Sequence, residues 1–100
     1  MSNLPPCGAC SYTPATGTLS ISISPKFVGK LHSGRLILRA ENGEEVTHSF
    51  PNVLAAGDSA VVQGLARPAG FKVRAATLAW IVADGPGGET STEQAIFVRH

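Results

Sequence analysis

The sequence predicts an all-β domain: an antiparallel β-sandwich of about seven strands, preceded by an extended N-terminal arm. Three observations carry this expectation. After Thr16 apolar and polar residues alternate at period 2, Gly and Pro turn signals break the alternation at short intervals, and no segment shows a capped 3.6-residue period. Short strands at such spacing belong to sandwiches and barrels, and the sandwich is the expected choice.

The arm, residues 1–16, contains Pro5, Pro6 and Pro14, and no Asp, Glu, Lys or Arg occurs before Lys26. Disordered tails usually stay solvated through charge, which this one lacks. A frayed leader is the plain reading. The sharper one is an arm that docks onto another protein through Leu4, Cys7, Cys10 and Tyr12, attached to a domain spanning residues 17–100.

Strand by strand, GTLSISIS places Leu19, Ile21 and Ile23 on one face and hydroxyl residues on the other, and Pro25 ends it. GRLILRAENGEEVTHSF reads as a hairpin. Leu36, Leu38 and Ala40 face the core, Asn42-Gly43 supplies the positive-φ turn, and Val46, His48 and Phe50 return on one face. A loop with Gly57-Asp58 leads to a strand from about Ser59 to Leu65. In the next, Phe71, Val73 and Ala75 point in while Lys72 and Arg74 point out. ATLAWIVAD is almost continuously apolar, as a central strand covered on both faces would be, with Trp80 as its core anchor. DGPGGETST reads as a loop and EQAIFVRH as the last strand.

From LILRAENGEEV through LAAGDSAVV to LAWIVADGPGGETSTEQ, about residues 35 to 95, the chain resembles the later strands of immunoglobulin-like adhesion modules of the CARDB type. Ala56 stands where that family usually carries proline, and the Asn-rich ending typical of it is missing. The resemblance implies an immunoglobulin-like β-sandwich and a non-enzymatic role. In being small, β-rich and without a signal segment, the chain is also similar to accessory and decoration proteins of tailed-phage virions. That similarity implies synthesis in a host cytoplasm, a place in the virion, and capsid or tail subunits or further copies of the chain as partners. The alternative is a recognition module of a bacterial surface protein, in the bacterial cytoplasm or at the cell surface. It would bind protein or carbohydrate through loops around residues 42–45 and 84–91.

Composition narrows the classes further. Charged residues are 15% of the chain against about 25% in an ordinary soluble domain, so much of the surface must be Ser, Thr, Ala and Gly. Eight Lys and Arg balance seven Asp and Glu without a basic stripe, so nucleic acid is not an expected partner. No apolar run approaches the roughly 18 residues of a membrane span, and a membrane is not expected either. The start lacks a basic, then apolar, secretory pattern, which predicts a reducing compartment in which the cysteines remain thiols until the protein leaves the cell.

The CGAC of residues 7–10 has the spacing of a half zinc site or a redox pair. Zinc wants four ligands, and only His32, His48 and His100 remain, scattered singly. A redox pair wants a helix N-terminus to lower a thiol pKa, and no such helix is expected. Two alternatives stay open for Cys7 and Cys10: disulfide crosslinks within or between chains, and unpaired, partly buried cysteine. GDSA, residues 57–60, lacks the strand-turn-helix setting of a nucleophile and reads as a turn. His48 reads as a satisfied interior or edge histidine, and GPGGE lacks the spacing and the lysine of a phosphate loop. Asp84, Glu89 and Glu93 fit no standard calcium loop. No enzyme, cofactor or metal is expected.

Overall fold

A computed structural model of the chain describes residues 8–85 and 88–99, the side chains of residues 84 and 85 excepted. Those residues form strands and turns, with no helix. The strands are β1 (Ser11–Thr13), β2 (Thr18–Ser22), β3 (Lys30–Ala40), β4 (Glu45–Phe50), β5 (Leu54–Ala55), β6 (Ser59–Val62), β7 (Val73–Gly85) and β8 (Gly88–Val98). They make one sheet in the order β4-β3-β7-β8-β1-β2-β6, with β5 also paired to β3, curled into a half-barrel.

Among the described residues the pairings are antiparallel except one, and that exception corrects the purely antiparallel expectation. β1 runs parallel to β8, Ser11 beside Phe97 and Tyr12 beside Val98, while its other edge runs antiparallel to β2. A three-residue strand thus joins β2 and β6 to the larger group β4-β3-β7-β8.

The period-2 pattern explains the core. Leu19, Ile21 and Ile23 from the β2 segment, Leu31, Leu36 and Leu38 from β3, and Leu78 and Trp80 from β7 are almost fully buried. They pack in one cluster with Tyr12, Phe50, Phe71 and Val73. At about 25 cal/mol per Å² of apolar surface removed from water, this cluster is the main term holding the curled sheet closed. The β3–β4 hairpin closes as the sequence predicts. Gly43 takes φ 90°, and its amide donates to the Ala40 carbonyl at 3.1 Å, while Asn42 Oδ1 accepts from the Glu44 amide at 3.0 Å.

Two irregularities depart from the sequence reading. Ala75 is exposed and Ala76 buried, because the register shifts where Arg39 pairs with Ala75 but Ala40 pairs with Val73. The segments expected as two strands are therefore one strand, β7, and Ala75 turns outward. The ETST of the expected loop likewise belongs to β8, where β-branched Thr suits a strand.

The second irregularity lies in β3. His32 pairs with Ile81 and Arg35 with Ala79, so Ser33 and Gly34 together oppose Trp80. The extra residue reverses the alternation, so that Leu31 and then Gly34 and Leu36 face the core. Ser33 takes φ 54°, the left-handed region in which a side chain costs about 1 kcal/mol or more. Glycine would suit residue 33, yet the glycine stands at 34, where a Cβ would lie 2.5 Å from Phe50 Cε2 and 2.9 Å from Trp80 Cζ3. Ser33→Gly is expected to stabilise by about 0.5 kcal/mol after the added unfolded-state entropy, and Ser33→Val to destabilise by about 1–2 kcal/mol. Thermal melting checks both, and a valine variant as stable as the parent would refute the strain.

Candidate functional site

The stretch from Gly8 to Tyr12 is fastened to the sheet at several points. The amides of Gly8 and Ala9 both donate to the Ser22 carbonyl, at 2.8 and 3.3 Å. Phe97 N donates to Cys10 O at 3.4 Å, and Arg99 N donates to Tyr12 O at 2.8 Å. Cys10 is half-buried against the core, with Sγ 4.0 Å from the Ser22 carbonyl oxygen.

Tyr12, expected on the arm as a partner contact, is instead a core residue with 0% exposure. Its hydroxyl donates to the Leu65 carbonyl at 2.5 Å. Burial pushes the Tyr12 phenol above its ordinary value, and the positive charge of Arg67 offsets part of that rise. The physical reason for the misreading is that an aromatic flanked by Ser and Thr in a proline-bearing stretch has no neighbours in sequence to reveal a pocket built by β2 and the segment around Leu65. The boundary expected at residue 16 therefore falls inside the sheet. Of the other expected contacts, Leu4 and Cys7 lie outside the described residues.

The scattered histidines stay apart. His48 Nε2 lies 3.1 Å from the Ala66 carbonyl oxygen, as a satisfied edge histidine would. His32 bridges two groups, Nδ1 at 3.0 Å from Ser33 Oγ and Nε2 at 2.9 Å from Glu89 Oε2. His100 lies outside the described residues. Among those residues no group of three or more His, Cys, Asp or Glu could hold a metal ion.

Ser33, His32 and Glu89 make a hydroxyl–imidazole–carboxylate chain that the sequence did not reveal, because His32 and Glu89 sit on β3 and β8 with β7 between them. Acyl transfer would need donors for an oxyanion and a cleft for the substrate beside the hydroxyl. The Glu89 side chain is instead 61% exposed to water. The chain can act as a polar brace across the outer surface of β7. Asp58 of GDSA similarly serves a turn, its carboxylate accepting from the Ala55 amide at 2.9 Å.

The turn of the β3–β4 hairpin borders a shallow depression of about 270 Å³, lined by residues 40–42, 44 and 68–72, with Glu41, Glu44 and Lys72 as its charges. That is just under the roughly 300 Å³ at which small-molecule sites begin. Of the second expected recognition loop, Glu89, Thr90 and Ser91 are strand residues, and residues 86 and 87 lie outside the described set. Comparisons with protein-family models, with curated proteins and with solved structures find no match for this chain.

Proposed function

We propose that this chain is a non-catalytic assembly module, an immunoglobulin-like domain tethered to a larger protein assembly by the segment that precedes Gly8. The sandwich-like reading of the half-barrel is supported by its division into β2-β6 and β4-β3-β7-β8, with β1 at the seam. A tether is useful only if load on it reaches the folded core. The observation that carries the reading is the fastening of Gly8–Tyr12, by main-chain bonds to Ser22, Phe97 and Arg99 and by the buried Tyr12 hydroxyl.

The narrower reading, a virion decoration or accessory protein that contacts capsid or tail subunits and gains disulfide crosslinks through Cys7 and Cys10 after release from the cell, rests on the uncharged, thiol-bearing sequence of residues 1–16. Recognition of a protein or carbohydrate is the second reading, favoured by the depression beside Asn42.

A cut after residue 16 would remove β1, so the informative truncation deletes residues 1–7. The truncated domain retains β1 to β8, and its thermal melting beside that of the full chain checks that any loss of assembly is not a loss of fold. Light scattering of the full chain without reductant should show large species that shrink with reductant and disappear on truncation. If the truncated chain assembled as fully as the intact one, the tether would be refuted. On the recognition reading truncation would leave ligand binding intact.

A further inference from the structure

The face of β3, β7 and β8 that points away from the core is built as a row of matched levels. One level runs Ser49, Arg35, Ala79, Glu93 across β4, β3, β7 and β8; the next runs Thr47, Ile37, Thr77, Ala95; on the other side lie His32, Ile81 and Ser91. The middle of this face is apolar or small: Ile37, Ile81, Ala79, Ala95 and, toward the end of β8, Phe97 with 66% of its surface exposed. Ala79 is 1% exposed yet lies outside the core cluster, so the outer face shields it.

Arg35 and Glu93 are exposed and flank Ala79 at one level, and neither forms an ion pair or side-chain hydrogen bond among the described residues. Opposite charges placed symmetrically about a central strand are self-complementary under one operation, a two-fold axis running parallel to that strand. Turning a second copy about such an axis brings its β8 over β3 of the first at the same level. Arg35 of each copy then faces Glu93 of the other, and Phe97 of each comes toward Arg39 of the other, within the reach of a cation–π contact.

We propose that the outer face of β3-β7-β8 is a homodimer interface, with the two-fold axis along β7 and reciprocal Arg35–Glu93 pairs on either side of an apolar centre. Aligned sheet-on-sheet packing tolerates the crossing of about 30° that strand twist imposes. With strands about 4.8 Å apart, about 30 Å of β3, β7 and β8 together with the shorter β4 and β1 gives a face of at most about 600 Å² per copy. A standard interface uses about 800 Å² per partner, so the smaller face fits a weak, reversible dimer. The proposal concerns a surface apart from the tether, and reductant separates the two.

The test is sedimentation of the full chain in reductant over a concentration series, for the parent, R35E, E93R and an equimolar mixture of the two variants. The parent should reach twice the 10.3 kDa chain mass. Each variant alone sets like charges against each other twice and should dimerise at least about tenfold more weakly. In the mixture both pairs are complementary again, so a heterodimer should form with affinity near that of the parent. F97S, altering only an exposed ring, should weaken the parent dimer as well. A monomeric parent would overturn the proposal, and so would a mixture that fails to pair. A dimer indifferent to both reversals would also overturn it.

Discussion

Tyr12→Ala is expected to cost about 4 kcal/mol, the loss typical of deleting a buried aromatic ring, and to leave the Leu65 carbonyl without its donor. Against a total stability of roughly 5–15 kcal/mol for a domain, that brings the protein close to unfolding at ambient temperature. Tyr12→Phe retains the ring and removes only the hydroxyl, for which about 1 kcal/mol is expected. Urea denaturation of both variants separates packing from hydrogen bonding. If Tyr12→Ala lost less than Tyr12→Phe, the core placement of this ring would be wrong.

The same residue gives the stability a pH dependence of defined sign. Below the ordinary phenol pKa of 10.0, folded and unfolded chains both hold the proton, and this group contributes no slope. Above it the unfolded chain releases the proton while the buried phenol retains it. The unfolded state then binds fewer protons, so stability falls as pH rises, until the folded phenol titrates too. Tyr12→Phe should flatten that alkaline decline, and an unchanged slope would assign it to other groups.

Gly34→Ala is expected to be the second most damaging single change, at about 3 kcal/mol, and to lower the melting temperature by on the order of 15 °C. The added methyl would meet two rings at once, and Phe50 and Trp80 are locked edge to face with centroids 5.2 Å apart and planes at 88°. Moving Phe50 away breaks that contact, while moving Trp80 disturbs the largest buried side chain. Phe50→Leu in the Gly34→Ala background should therefore cost less than it does in the parent. A double-mutant cycle with no coupling would show that the methyl is accommodated elsewhere.

These two residues show where the sequence is legible and where it is not. Leu19, Ile21, Leu36 and Leu38 announce their buried faces because a neighbour two positions away repeats the choice, and the Asn42-Gly43 turn carries its own local chemistry. Ala75 breaks the rule because a register shift has no signature in the strand that bears it. Gly34 carries no local signal of its role, and only the rings of Phe50 and Trp80, from two other strands, explain it. Tyr12 is opaque for the same reason, its pocket being made of residues far along the chain. The outer face behaves likewise. Arg35 and Glu93 are ordinary surface charges until β3-β7-β8 pairing sets them at one level.

The parallel seam between β1 and β8 also fixes when the molecule can be finished. The β3–β4 hairpin can form as soon as its own residues exist, and the β2–β6 pair needs only the chain between them. The seam has to wait, because Ser11 and Tyr12 take Phe97 and Val98 as partners, across nearly the whole described length. During synthesis β1 therefore keeps one edge without its final neighbour until the last strand has emerged. The large loop that must then close places this fold among the slower small domains, with closure expected in about milliseconds to seconds rather than microseconds. Until that moment the Cys10 and Tyr12 carbonyls lack the Phe97 and Arg99 amides, and that bare edge is the surface a chaperone would meet.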